Sequence, residues 1–482
     1  MEQADYRLEK LKLLTELGIP AYPDSFSVTH TLESISGLED GAQVRIAGRM
    51  VAKRRLGKLT FAHLQDIQGR AQICLQVDHL GEGYKTFHKI TDIGDFLGVA
   101  GEVFTTKTGE KTVMVSEYAF LGKALRELPE KWHGLKDVEL RYRQRYLDLI
   151  ANPESRRVFL LRSQMLRAIR NFLEGRGFIE VETQILTNQP SGALASPFIT
   201  HHNALDIDLY LRIAPETYLK RLVVGGFTHV FEVARCFRNE GISTTHLQDF
   251  TMIEGYSAYF NYKDNMQLMQ DMIVHLVQEL FSSTTISIGD QEVDFSGEWP
   301  TVSFRELILK DTGIDIDDYL DAAGLLARIK AEGIQLEHEN LPSLGKGNLV
   351  DVLYKKVSRP KLVRPTFLTA HPVELSPLAR SNDHNSAISD RFQLIVNGAE
   401  IINGYSELVD PQEQRRRLEE QAQLRSQGDA EAMPMDEDYL KAMEYGMPPI
   451  SGWGLGVDRL LQVLLNLDNI RDGVLFPIMR PE

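Results

Sequence analysis

Two stretches of the chain carry residues suited to chemistry on a nucleoside triphosphate. The first runs from Phe231 to Glu254, FEVARCFRNEGISTTHLQDFTMIE. Apolar runs at Phe231, Val233 and Cys236 to Phe237, and again at Thr251 to Ile253, read as two strands; Arg238, Asn239, Glu240, Gly241 and His246 lie between them. A guanidinium forks onto phosphate or carboxylate oxygens, and Phe250 offers a flat face to a base. The pattern suits a triphosphate held against an antiparallel sheet; an ordinary hairpin with a charged loop looks the same locally. The second stretch lies near the C-terminus, where Gly452, Gly454 and Gly456 lead into Asp458 and Arg459 on an apolar helix. Such glycines let a backbone approach a ligand closely. Chemistry of this kind needs cations and positioning where charge grows on phosphorus oxygens, and no protein nucleophile. No Ser-His-Asp or Cys-His arrangement stands out.

The chain that must position these groups has 482 residues, enough for two or three domains, and its 43% hydrophobic and 25% charged content is that of a soluble globular protein. No apolar run approaches a membrane span. The N-terminus, MEQADYRLEKLKLLTELG, is charged and amphipathic and has no apolar signal core. Cys74 and Cys236 are far apart and suggest neither a disulfide framework nor a cysteine zinc site. The expected location is the cytoplasm. A net charge of −15 argues at first against a nucleic-acid partner, but binding follows local patches rather than the sum.

Residues 1–42 read as a helical segment followed by the Pro-containing IPAYPDSF. Residues 43–125 hold five short strands with glycine-containing turns, which fit a small closed barrel of the oligonucleotide/oligosaccharide-binding (OB) type. Arg49, Lys53, Arg54, Arg55 and Lys58 cluster at its first hairpin, and Phe61 follows on a strand where it could stack on a base. A barrel without a ligand and with a solvated basic face has the same pattern. Residues 126–150 read as a linker with a short helix. Beyond them, residues 151–482 open on an amphipathic helix, Glu154 to Gly175, with Val158, Leu161, Met165, Ile169 and Phe172 at helical spacing. FIEVETQIL reads as a strand, residues 264–281 as a second amphipathic helix, and Pro411 to Gln427 as a charged one. Glu216 sits where a strand ends and a helix begins, a position that also suits a mere partner of the helix dipole.

Residues 231–254, with Phe237, Arg238 and Glu240, resemble motif 2 of class II aminoacyl-tRNA synthetases. Residues 452–475 are similar to motif 3, glycine-x-glycine-x-glycine-x-aspartate-arginine, and the helix and strand of 154–186 take the place of motif 1, with Gln184 where that motif has proline. ELRYRQRYLDL looks like the hinge of lysyl-tRNA synthetases; HPVELSPLA, NGYSEL and EYGMPP are the pieces most specific for lysine. The resemblance is to the bacterial type of class II lysyl-tRNA synthetase and covers residues 43–482. It implies an α+β protein, an OB-type barrel for the anticodon followed by a catalytic domain with a mixed, mainly antiparallel sheet flanked by helices. It implies a homodimer that uses ATP and Mg²⁺ to activate lysine and charge lysine tRNA, with no membrane partner.

Residue by residue, the resemblance makes Arg238 and Arg459 the catalytic clamps. Gly192 and Glu216 would take the α-amino group, and Asn403 with Arg238 the carboxylate. Glu254, Tyr256 and Glu407 would hold the side-chain ammonium, a buried cation that needs opposing carboxylates. Phe250 would lie on adenine, with Glu240, His246, Glu400, Gly456 and Arg459 along the rest of ATP. The metal would be held by Glu400 and Gln393, where the family has two glutamates; glutamine offers an uncharged oxygen. Thr245 stands where many relatives have an arginine. In the barrel, Phe61 would stack on an anticodon base while Gln72 and Glu110 read base edges beside Arg54. A non-catalytic paralogue that binds tRNA or a nucleotide is the alternative, favoured by Gln184, Thr245 and Gln393 and opposed by Arg238, Glu240, Phe250, Glu400, Asn403, Glu407 and Arg459.

Overall fold

Apolar residues alternating with a period of two close the first unit of the chain, Met1–Arg156, into a barrel. Its strands are β1 (Gln43–Leu56), β2 (Leu59–Gln65), β3 (Arg70–Gln76), β4 (Phe96–Thr105) and β5 (Lys111–Gly122), ordered β1-β2-β3-β5-β4. Val44, Ile46 and Met50 point inward to meet Leu64, Ile73, Leu75, Val99, Val113 and Val115. Burying each side chain of this size stabilises by ~1.5–3 kcal/mol. The helix Glu82–Ile90 adds Tyr84, Phe87 and Ile90 to the same core, and the helix Glu2–Glu16 adds Leu14. The linker forms two helices rather than one, Val138–Arg143 and Arg145–Ala151. The computed structural model describes residues 2–129, 135–193, 195–337, 341, 344–426 and 432–481. Part of the expected linker and the last residue of the expected charged helix, Gln427, therefore lie outside the described residues.

The second unit, Arg157–Glu482, is built on a large sheet. In chain order its strands are β6 (Ile179–Glu180), β7 (Leu186–Thr187), β8 (Ile199–His202), β9 (Ile207–Leu211), β10 (His229–Phe237), β11 (Asp249–Ala258), β12 (Thr285–Ile288), β13 (Gln291–Asp294), β14 (Thr301–Ser303), β15 (Thr366–Thr369), β16 (Arg391–Val396), β17 (Ala399–Ser406) and β18 (Ile450–Gly456). Eight of them form the order β14-β15-β16-β17-β18-β11-β10-β6. Neighbours run antiparallel except at the two ends, where β14–β15 and β10–β6 are parallel. One face is covered by the helices Pro153–Glu174 and Tyr262–Phe281, whose Met165, Ile169, Leu173, Met269, Met272 and Leu276 pack on Phe231, Ile253, Phe392, Leu394, Trp453 and Leu455. The second helix starts in a capping box, Asn261 with Asp264.

FIEVETQIL forms less strand than its composition suggests. Only Ile179–Glu180 joins the sheet, and Leu186–Thr187 pairs with β9 instead. Between them the chain is drawn toward the sheet by polar side chains: the Thr183 hydroxyl donates to Glu232 Oε2 (2.7 Å), and the Gln184 amide donates to the Tyr218 hydroxyl (2.6 Å).

Candidate active site

β10 and β11 pair without a break from His229–Ser257 to Phe237–Asp249, so Phe250, Met252, Glu254 and Tyr256 share one face. This is the face away from the two helices. β18 brings Gly454 opposite Glu254 and Gly452 opposite Tyr256, and Asn403 of β17 stands on the other side of Gly454. Gly452 makes room for neighbouring side chains: a Cβ there would lie 2.3 Å from Cε1 of Tyr256 and 2.5 Å from Oε1 of Glu407. At Gly192, φ is +87° and a Cβ would meet that of Glu216 at 2.9 Å, so the position admits only glycine.

A cavity of about 380 Å³ opens on this face. Gly192, Glu216, Arg238, Glu240, His246, Phe250, Glu254, Tyr256, Glu400, Asn403, Glu407, Gly456 and Arg459 all line it, and so does Thr245. Gln393 is outside the lining; it stands opposite Asn403 in the register but is buried beside His371.

One end of the cavity is acidic. Glu216 begins the helix Glu216–Val224 and accepts from the Tyr405 hydroxyl (2.7 Å). Glu254 accepts from the Tyr256 hydroxyl (3.2 Å). Behind the lining lies Lys220, wholly buried, its Nζ 2.5 Å from Glu216 Oε1 and 2.5 Å from Glu407 Oε2. Burial opposes the Lys220 charge, but these two carboxylates outweigh it and hold the ammonium well above the ordinary lysine range. Burial pushes the Glu407 carboxyl up to about 8 despite Lys220. Burial and then the charge of Glu216 push Glu254 well above the usual carboxylate range. Acids in this state attract a cationic ligand, because each is costly to ionise without one.

The other end is cationic. The Arg238 guanidinium lies 5.1 Å from the centre of the Phe250 ring, and its Nε has no partner among the described residues. Arg459 donates to the Glu400 carbonyl (3.0 Å). Asp458 accepts from the Thr251 N–H (2.7 Å) and pairs with Arg162 (2.7 Å), which pins the start of the last long helix to β11. His246 lines the cavity, and partial desolvation, then Arg459 and Arg238, lower its proton affinity. Arg391 donates to Asn403 Oδ1 (2.8 Å), to the Leu375 carbonyl (2.9 Å) and to the Ser376 hydroxyl (2.9 Å). It thereby ties HPVELSPLA to NGYSEL and occupies the oxygen of Asn403, a residue that lines the cavity.

In the barrel unit, Arg54 stands directly opposite Phe61 on β1 and β2. Gln72 of β3 donates to Glu110 Oε2 (2.6 Å), and its own oxygen accepts from the Thr112 hydroxyl (2.9 Å). His63, directly opposite Gln72, shares the other Glu110 oxygen at 3.2 Å. The outward face thus carries an aromatic, a cation and a linked set of donors and acceptors.

The family model described as "tRNA synthetases class II (D, K and N)" matches residues 137–480. The chain belongs to the class II tRNA synthetases. A second family model, "OB-fold nucleic acid binding domain", matches residues 44–121 of this synthetase. The synthetase is similar to the protein named Lysine--tRNA ligase of Pelotomaculum thermopropionicum, at 48% identity over 98% of this chain and 94% of the relative. Those of Moorella thermoacetica and Bacillus subtilis, with the same name, are 48% and 44% identical, over 99% of this chain and 97% of the relative in each case.

The motifs of this synthetase did not single out Lys220, Arg391, Tyr405 or His63. HPVELSPLA was the signal for Arg391, since the segment must be fastened to something. For a divalent cation, Glu400 offers a cavity-lining carboxylate that makes no ion pair among the described residues. One carboxylate next to a cationic end fits Mg²⁺, which keeps waters and takes phosphate oxygens for the rest of its shell.

Proposed function

We propose that the protein activates L-lysine with ATP as lysyl-adenylate and transfers the lysyl group to the 3′ end of lysine tRNA. The observation that carries this reading is the acidic end of the cavity, Glu216, Glu254 and Glu407 buried within one space with Arg238 and Phe250. A lysine carboxylate oxygen attacks the α-phosphorus, the bond to the bridging oxygen breaks, and pyrophosphate leaves. The terminal ribose hydroxyl of tRNA then attacks the carbonyl carbon and AMP leaves.

In this reading Arg238 holds the amino-acid carboxylate against the α-phosphate, and Asn403 donates to the same carboxylate. Gly192 and Glu216 take the α-amino group; Glu254, Tyr256 and Glu407 take the side-chain ammonium. Phe250 lies on adenine, Glu240, His246 and Gly456 position the nucleotide, and Arg459 holds the γ-phosphate. Mg²⁺ held by Glu400 supplies charge neutralisation at the phosphates when bound. Phe61, Arg54, Gln72 and Glu110 read the anticodon.

Exposed Leu160, Ile179, Ile185, Leu186, Ile199 and Ile207 on the helix Pro153–Glu174 and the strands and loops after it support a homodimer. The tRNA partner sets the proposed location, the cytoplasm. Among the described residues no helix is long and apolar enough to cross a membrane. Lysine-dependent ATP–pyrophosphate exchange, run with all twenty amino acids, tests the reading, followed by aminoacylation of tRNA. Exchange with another amino acid and none with lysine would overturn it.

A further inference from the structure

The acidic end of the cavity contains a cation that the chemistry above does not use. We propose that Lys220 fixes how many ammonium groups the cavity accepts, making the site complementary to a diamino acid. Three carboxylates share a space nearly closed to water. Glu216, Glu254 and Glu407 are 5%, 5% and 2% exposed. Each is costly to ionise without a cation. Lys220 stands between Glu216 and Glu407, 2.5 Å from both, with Tyr256, Tyr405 and Tyr439 ring centres 5.9, 5.6 and 5.7 Å away. It is outside the lining, so a ligand meets its carboxylates rather than its ammonium.

One of three negative charges is thereby met from within the protein, and two are left for the ligand. The arginines do not change the count. Arg391 uses its donors on Asn403, Leu375 and Ser376; Arg238 lies over Phe250 within electrostatic reach of Glu254, and its charge answers the carboxylate that the amino acid itself brings. An α-amino acid with a second ammonium brings two positive charges, the number required. A ligand with one leaves a buried acid protonated and forms one ion pair fewer. The inference rests on the reading of the cavity as a lysine site and extends it. Lys220 is a positioning residue that acts through Glu216 and Glu407.

Lysine-dependent pyrophosphate exchange by the unaltered protein tests the reading, and variants at Lys220 test the inference. Lys220→Met keeps the side-chain length and removes the charge. Its kcat/KM for lysine falls about a hundredfold or more, while KM for ATP moves by less than about threefold. Lys220→Met combined with Glu407→Gln restores the balance and raises kcat/KM about tenfold or more above Lys220→Met alone. A packing role would instead give two losses that multiply. A Lys220→Met protein within about threefold of the unaltered one, or a double variant no better than the single, overturns the proposal. If thermal unfolding shows that Lys220→Met does not fold, the double variant is compared with Glu407→Gln. A further loss below about tenfold supports the count and a larger one overturns it. An unaltered protein inactive with lysine removes the reading, and the count with it.

Discussion

Glu232 and Glu254 stand directly opposite each other on β10 and β11, and only Glu232 has a cation of its own. Arg212 pairs with it at 2.6 Å and Thr183 donates to its second oxygen. Like charges directly across a strand pair are destabilising, and the Arg212 pair removes that penalty for one of the two. Glu254 makes no ion pair among the described residues and faces the cavity, so a ligand ammonium is its natural partner. Glu254→Gln, and equally Glu407→Gln, should therefore weaken lysine activation far more than ATP binding. Breaking a buried charge pair costs about 3–5 kcal/mol, or roughly hundreds- to thousands-fold in kcat/KM. Near-normal kcat/KM for lysine in either variant would show that the ammonium pocket lies elsewhere.

The same acids predict how lysine binding depends on pH. The Glu407 carboxyl, 4.5 in its ordinary state, rises to about 8 in the folded protein, mainly through burial, and Glu254 moves in the same direction. The folded chain keeps these protons where the unfolded chain has lost them. Their contribution to stability is full below the ordinary value and is lost as pH rises through the folded one. Lysine brings ammonium groups that favour the ionised acids, so binding releases protons in this window. The melting temperature without lysine should fall between about pH 5 and 8.5, and the increase given by saturating lysine should grow over the same range. Glu407→Gln should flatten both trends. A lysine-induced increase equal at the two ends of the range would exclude protonated acids in the empty pocket.

Arg238, Phe250 and Arg459 were legible in the sequence because each sits in a short local pattern that needs no partner from elsewhere. The barrel strands were legible for the same reason, through alternation within each strand. Lys220 was not. With Glu216 it forms an i,i+4 pair on a helix, which from sequence reads as a solvated salt bridge. Only the arrival of Glu407, Tyr405 and Tyr439 from distant segments turns it into a buried cation. The strand expected over FIEVETQIL failed in the same way, because the pull of Glu232 and Tyr218 on Thr183 and Gln184 is tertiary. Cys236 read as part of an apolar run and is buried, and burial pushes its thiol up to about 12.

The barrel offers a test that separates its work from that of the cavity. Phe61 is partly exposed on β2, with Arg54 directly opposite. Phe61→Ala should lower aminoacylation of tRNA and leave tRNA-independent pyrophosphate exchange intact. The loss of one base stack costs about 1–3 kcal/mol. An equal fall in both assays would make Phe61 a residue of barrel stability alone.

Gln393 lies within β16 and Glu400 beside the turn of the β16–β17 hairpin, and only Glu400 lines the cavity. The register slips between Leu394 and Ile395, so Ile395 rather than Val396 is the neighbour of Glu400, while Gln393 stays opposite Asn403. Gln393 is thus on the strand position next to the cavity floor without contributing charge to it. ATP brings several negative charges, and a site with one carboxylate leaves most of the ion's shell to phosphate oxygens and water. A second carboxylate should hold Mg²⁺ more tightly before ATP arrives. Gln393→Glu should therefore lower the Mg²⁺ concentration for half-maximal pyrophosphate exchange without altering the choice of amino acid. Glu400→Gln should raise that concentration and remove most of the activity. The measurement is exchange titrated with Mg²⁺ at fixed ATP, with free Mg²⁺ calculated. An unchanged midpoint in Gln393→Glu would separate that position from the metal, and full activity in Glu400→Gln would separate the cavity's own carboxylate from it as well.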